Sequence, residues 1–250
     1  MNPLDHLDHR PWPLPRKRWV MVQTWHDLLF AHWPMPVDSV RSSIPRALEI
    51  DAFDGSAWVG VVPFRMSGVR LRGTPALPWL SAFPELNLRT YVTHGGKPGV
   101  WFFALDAANP IAVAVARAWF HLPYFRARMG VHSERDEIVY SHVRTHRNAA
   151  PAELAARYSP AGDVFRSRAG SLEHWLTERY CLYASDARGD LQRGEIHHVP
   201  WPLQAARADI ARCTLPAAHG LALPSSPPLL HFARRLDVII WAPERVTSSA

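Results

Sequence analysis

Apolar and polar residues along this chain alternate mostly with a period of two, the signature of strands with one buried face. From Trp19 to Trp33 the residues are β-branched, aromatic and apolar, predicting one or two strands that end at Pro34. Pro36, Val37, Val40 and Ile44 fit a short amphipathic helix closed by Pro45. In LEIDAFDGSAWVGVVPF, two apolar runs flank Asp54-Gly55, a pair that accepts positive φ readily, so a hairpin is expected there. After a proline-broken loop from Gly73 to Pro84, ELNLRTYV alternates cleanly, and His94 to Gly99 turns the chain into the strand VWFFAL. Asn109 is placed to cap a helix beginning at Pro110 and interrupted by Pro123. EIVYSHVRTHR reads as a strand, Ser171 to Leu176 as a short helix, and ERYCLYA and LQRGEIHHVPW as paired strands around DARGD. LLHFARRLDVIIW is the last strand. Strands joined by hairpins with a few inserted helices make an α+β protein dominated by antiparallel sheet. Residues 1–18 read as a flexible, proline-rich leader that packs late or not at all, and residues 19–250 as a single domain without a Gly/Ser linker or a fixed repeat.

Composition narrows the class. A compact chain of 250 residues buries roughly 70–75% of its unfolded surface, so it needs no disulfide or metal staple. Cys181 and Cys213 are far apart in sequence, which favours a reducing compartment. The first residues hold acids and prolines in place of an apolar signal core, and the apolar runs are too short for a membrane helix, so a cytoplasmic protein with no membrane partner is expected. The formal net charge is +6, but the basic residues are almost all arginine and scattered, with one tight run at Arg16-Lys17-Arg18. Nucleic-acid binders concentrate charge on one face, so no nucleic-acid partner is expected.

The candidate chemistry gathers on ELNLRTYV. Alternation puts Glu85, Asn87, Arg89 and Tyr91 on one face and Leu86, Leu88, Thr90 and Val92 on the other. The leucine face belongs to a core. The polar row is either a solvated outer face or, if the sheet closes on itself, an interior lining made tolerable by mutual hydrogen bonding. In TERYCLY, Glu178 and Tyr180 share one face while Arg179, Cys181 and Tyr183 share the other. Likewise Glu195 and His197 fall together with His198 opposite, so one histidine should face inward and one outward, a poor joint metal pair. His142 and His146 lie about 13 Å apart if their segment is a strand. With no metal-spacing motif, Walker loop or nucleophile elbow, neither a metal nor a cofactor is expected. Asp106 pairs either with Arg117 across the helix start or as an ordinary surface group.

The blocks AHWPM, LEIDAFDGSAWVGVVPFRM, ELNLRTYV, PGVWFFALDA, ARAWFHLPY, TERYCLY, IHHVPWPL and LLHFARRLDVIIWAP, in this order, resemble the YqjF-like family of uncharacterised bacterial proteins, from about Val22 to Val246. That family is a remote relative of acetoacetate decarboxylase. The resemblance implies antiparallel strands curved into a cone or barrel around a pocket, with flanking helices, and a possible homo-oligomer. It does not carry the decarboxylase chemistry with it. The relative forms a Schiff base through a lysine after a Gly-Phe-Pro segment; the matching stretch here is Phe120-His121-Leu122-Pro123-Tyr124, with tyrosine at the lysine's place. The relative's Tyr-x-Glu strand motif appears as Phe83-Pro84-Glu85, which retains a pocket carboxylate. A Schiff-base lysine must be desolvated or lie beside a cation, whereas Lys17 sits in the polar leader and Lys97 in a glycine-rich turn. The expected pocket has Glu85 and Tyr124 as catalytic candidates and Asn87, Arg89, Tyr91, Arg117 and Tyr180 as ligand contacts, with a small organic anion or carbonyl compound as partner. Three readings stay open: a binding protein, an enzyme using Glu85 as acid or base on a keto or hydroxy acid, or a structural interior in which Glu85 and Arg89 neutralise each other.

Overall fold

Period-two patterning is realised as thirteen strands and three α-helices among residues 3–78, 80–186 and 188–246, the residues described in this computed structural model. In chain order they are β1 (Met21–Met35), α1 (Val37–Arg41), β2 (Glu49–Ile50), β3 (Ala57–Leu71), β4 (Phe83–His94), β5 (Lys97–Ala107), α2 (Pro110–Trp119), β6 (Tyr124–Glu134), β7 (Glu137–Arg144), β8 (Glu153–Phe165), α3 (Leu172–Thr177), β9 (Cys181–Ser185), β10 (Leu191–His197), β11 (Leu203–Cys213), β12 (Leu229–Ile240) and β13 (Glu244–Arg245). All belong to one sheet of order β13-β10-β9-β5-β6-β7-β8-β11-β12-β1-β3-β4-β2, with further pairings β4–β5 and β10–β12. Most neighbours are antiparallel; β5 pairs in parallel with β6 and with β9. Parallel neighbours need a crossover, and α2 supplies the one between β5 and β6. Its start follows from Asn109, whose side-chain oxygen accepts from the backbone N–H of Ile111 and Ala112, both at 3.0 Å, with Pro110 in the first turn. Ser171 caps α3 in the same way. Among the described residues no helix is long and apolar enough to cross a membrane.

The chain is therefore α+β, with a large mixed, mainly antiparallel sheet and few helices. Leu86, Leu88 and Val92 of β4 pack into a core with Val59, Val61 and Ala104, as the alternation requires. A second apolar cluster, including Leu28, Phe64, Leu105, Phe120, Leu122 and Trp201, lies on the other side and surrounds the cavity described below.

Several local expectations need correction. Asp54 and Gly55 do take positive φ, but only Phe53 and Ser56 bridge there; β2 pairs with β4, not β3, because the turn is followed by a strand that already lies between β1 and β4. β1 runs through Pro34 to Met35, so the proline does not end it. Strands β6, β8 and β11 are additional to those that the alternation predicts. In β11, small residues and arginines alternate without a strongly apolar face, which hides the period. The leader is not a free tail. His197 Nε2 hydrogen bonds the Pro3 carbonyl at 2.9 Å, Arg10 forms a buried ion pair with Glu195 at 2.6 Å, and Trp241 Nε1 donates to the Lys17 carbonyl. Its Trp12 and Arg10 also lie against Tyr180. This packing explains a further departure: His198 faces the cavity and His197 the other side, yet both are buried, because Pro3 and His9 of the leader cover His197.

Candidate functional site

The face of β4 opposite Leu86 and Leu88 borders a cavity of about 580 Å³. Glu85, Asn87 and Arg89 follow one another along one wall of it. In the neighbouring strand β3 their partners are Phe64, Val62 and Gly60, so the polar row lies beside an apolar one. A side chain at position 60 would place its Cβ 2.9 Å from the His32 ring and 3.4 Å from Arg89 Cγ; glycine leaves the room that both need. Tyr124, the first residue of β6, reaches the same cavity from beside Leu105.

Glu85 is 2% exposed and accepts a hydrogen bond from the Tyr124 hydroxyl at 2.8 Å. Burial pushes its carboxyl up to about 8, against the opposing hydrogen bonds from Tyr124 and Asn87, and the nearby Asp106 adds to the rise. Glu85 is thus mainly a neutral acid at pH 7. Burial and the Glu85 carboxyl hold the Tyr124 phenol well above its ordinary range, so it remains protonated. Glu85 and Arg89 form no ion pair with each other, and the mutual neutralisation considered from the sequence is not how this interior is balanced.

Arg89 is held from behind. Its guanidinium donates to the Tyr91 hydroxyl at 3.2 Å and to the Leu176 carbonyl at 3.4 Å, and lies over the Phe30 and Tyr91 rings. Tyr91 also shares a 2.7 Å hydrogen bond with His32 Nε2. Burial and the Arg89 charge keep His32 well below its usual pKa, so it is neutral. Arg179, 5% exposed, donates to Asp51 at 2.5 Å and to the Trp175 carbonyl at 2.6 Å, and also borders the cavity. Burial lowers its pKa from the arginine value and Asp51 opposes this. After these contacts Arg89 Nε, Arg179 Nη2 and Asn87 Oδ1 are buried without a partner among the described residues. Two donors on cations and one amide acceptor are left for something else to satisfy.

Of the expected site residues, then, the structure brings Glu85, Asn87, Arg89 and Tyr124 to one cavity. Tyr91 does not line it; it stands behind Arg89 under Trp175. Arg117 does not line it either: its guanidinium donates to the Tyr124 carbonyl at 2.7 Å, fixing the backbone of β6 to α2. Tyr180 lies outside, stacked on His198 and hydrogen-bonded to Glu178. Arg179 and His198 also line the cavity, in addition to the residues expected from the sequence. The parity of TERYCLY had already set Arg179 opposite Tyr180, so assigning the other face to the pocket finds it. Asp106 pairs with neither Arg117 nor the surface; it is fully buried between Arg144 and His142. Neither lysine reaches the cavity: Lys17 pairs with Glu244, and Lys97 with Glu195. Cys181 does line it, but burial raises its thiol to about 11, which leaves it unreactive.

In fold the chain is similar to the acetoacetate-decarboxylase-like proteins. The structure superposes on that of the enduracididine biosynthesis enzyme MppR, complexed with the condensation product of pyruvate and imidazole 4-carboxaldehyde, with a TM-score of 0.66 at 10% identity, covering 94% of this chain and 92% of that one. Acetoacetate decarboxylase from Legionella pneumophila gives a TM-score of 0.60 at 12% identity, over 95% and 93% of the two chains. The chain itself belongs to the DUF2071 family of uncharacterized conserved proteins, whose model matches residues 22–237. It is 47% identical over 228 residues to the uncharacterized protein YqjF of Bacillus subtilis (strain 168), covering 91% of this chain and 93% of that protein.

Proposed function

We propose that the cavity binds a small organic anion or carbonyl compound, with Arg89 and Arg179 holding the anionic group and Asn87 accepting from a hydroxyl or N–H of the ligand. The observation that carries this reading is the pair of guanidinium donors, Arg89 Nε and Arg179 Nη2, at a wall where, among the described residues, neither has a partner, Asp51 is the one carboxylate bonded to either arginine and Glu85 is uncharged. The site therefore keeps about one uncompensated positive charge, which a bound carboxylate would neutralise. We also read the pairings β4–β5 and β10–β12 as closing the sheet around this space, a barrel-like interior rather than an open face.

A second role rests on Glu85 and Tyr124. A carboxylic acid that is still protonated near neutrality, hydrogen-bonded to a phenol, can deliver a proton to a keto or enolate oxygen and recover it afterwards. This supports acid–base chemistry on a keto or hydroxy acid. The likeness to MppR, which has also been seen complexed with pyruvate, fits a keto acid as the kind of compound accepted, although the remote likeness speaks for the fold alone. An imine route finds no support: a phenol cannot condense with a ketone, and both lysines lie outside the cavity.

Thermal-shift measurements with acetate, pyruvate, acetoacetate and 3-hydroxybutyrate test the reading. A ligand at 100 times its dissociation constant should add about 2.7 kcal/mol of stability. In Arg89→Met the affinity for any such acid should fall at least about tenfold, because a charge-assisted hydrogen bond is removed. Equal shifts in wild type and Arg89→Met would refute the assignment. Borohydride with acetoacetate should leave the mass of the protein unchanged; a stoichiometric adduct on either lysine would restore the imine route.

A further inference from the structure

We infer that the ligand of this cavity is an amphiphilic carboxylate, with its anionic head at Arg89 and Arg179 and an apolar tail extending along the cavity to a rim formed by Leu77 and Ile111. The inference deepens the reading above and rests on it. The first support is size against polarity. A cavity of about 580 Å³ falls in the range that encloses drug-sized molecules, and a pyruvate-sized acid would fill a small part of it. The polar atoms of β4 run along one wall, while Trp25, Phe64, Phe102 and Phe120 supply much of the remainder. Arg70 also borders the cavity, but it is exposed and its guanidinium donates to the Gly68 carbonyl, so a second charge buried along the tail would lie against aromatic carbon.

Direction comes from the strand. Phe83 follows the loop that carries Leu77, and Arg89 lies six residues further along β4, about 20 Å at the usual strand rise. A head at Arg89 therefore sends the rest of the molecule past Asn87, Glu85 and Tyr124 toward that loop. An uncharged Glu85 lets methylene groups pass, where an ionised carboxylate would oppose them. At the rim, Leu77 is 54% and Ile111 55% exposed, while both border the cavity. Side chains this exposed leave about half their apolar surface in water, and a tail leaving the cavity would cover it.

The test is a homologous series. Binding of acetate, hexanoate, decanoate and hexadecanoate, each below its micelle concentration, is followed by calorimetry and by tryptophan fluorescence, since Trp25 and Trp201 border the cavity. Affinity should rise up to about fourfold per added methylene, so decanoate should bind at least about tenfold more tightly than hexanoate. Ile111→Glu, a change the first turn of α2 accommodates, should shrink the hexadecanoate-to-decanoate ratio toward one, since only the longer chain spans the distance from Arg89 to the rim. Acetate and pyruvate binding with no gain from chain length would overturn the tail and leave the anion site standing. No binding by any acid would overturn both. A ratio unchanged in Ile111→Glu, or 1-decanol binding as tightly as decanoate, would also refute the inference, by placing the tail elsewhere or making the head irrelevant.

Discussion

Glu85 and Asp106 belong to adjacent strands, one step apart in register, and point to opposite faces: Glu85 pairs with Ala107, and Asp106 with Leu86. Both carboxyls are buried, and their surroundings drive them in opposite directions. Burial raises Asp106 too, but hydrogen bonds from Arg144 at 2.7 and 2.8 Å and from His142 at 2.8 Å outweigh it and hold the carboxyl below its usual range. Glu85 has a phenol and an amide as neighbours, and neither brings a charge; its carboxyl stays protonated up to about 8. A buried acid with a cation is part of the scaffold. A buried acid without one, on the wall of a cavity that also holds two arginines, keeps a proton available to a ligand.

Removing the carboxylate of Asp106 is the harshest way to break this contrast. Asp106→Asn leaves Arg144, itself buried, without its counter-charge and should destabilise the protein by about 3–5 kcal/mol. Urea unfolding at pH 7 measures this, and a loss below about 1 kcal/mol would show that the pair contributes little. The wild-type contribution also has a direction in pH. A depressed native pKa gives stability that is present above the unfolded value and lost as pH falls through the native one. It should therefore disappear on acidification.

Glu85 should behave in reverse. Its native pKa lies above the unfolded value of 4.5, so between there and about 8 the unfolded chain has lost a proton that the native state retains, and stability falls as pH rises. Above about 8 the full penalty remains. Glu85→Gln, which keeps the shape without the acid, should therefore gain stability over wild type at pH 9, by up to about 3–5 kcal/mol, and little at pH 4. Parallel unfolding curves at both pH values decide the point; a constant difference between variant and wild type would mean that Glu85 does not titrate as described. The same substitution should abolish any turnover of a keto or hydroxy acid, so gain in stability and loss of chemistry would separate a functional acid from a structural one.

How much of this could be read from the chain itself differs between the two carboxylates for a physical reason. Glu85, Asn87 and Arg89 share a face within one strand, and a period of two reports that directly. Tyr124 joined them through the resemblance to a remote relative, since nothing in FHLPY marks a pocket tyrosine. The partners of Asp106 are another matter. Arg144 and His142 are about forty positions away in sequence, on β7, and reach Asp106 across β6. Alternation cannot indicate which distant strand comes to cover a face. Arg117 and Tyr180, expected as ligand contacts, are held outside the cavity by the Tyr124 carbonyl and by Glu178, while Arg179 is fixed by Asp51, far back in the chain. The leader's docking was illegible for a related reason: Arg10 and Trp12 look like solvated tail residues until Glu195 is brought beneath them.

The finest test of the contrast removes a hydrogen bond and leaves both carboxyls in place. Tyr124 donates to Glu85, and a donor stabilises the ionised form of an acid, so this bond holds the Glu85 pKa below the level that burial alone would set. Tyr124→Phe should therefore raise it further, by about one unit, because a hydrogen bond to a charged group exceeds one to a neutral group by roughly 1–1.5 kcal/mol. The measurement is a carbon-13 titration of the Glu85 carboxyl by NMR in both proteins, with Glu85→Gln assigning the resonance. The pH at which wild-type stability stops falling should move upward by the same amount in the variant. A midpoint that moved down would mean that the phenol stabilises the neutral acid, making Tyr124 the acceptor and Glu85 the donor. The carboxyl proton would then be directed at the tyrosine oxygen, and a ligand would take the phenol's own hydroxyl proton while Glu85 returns its proton to the phenol.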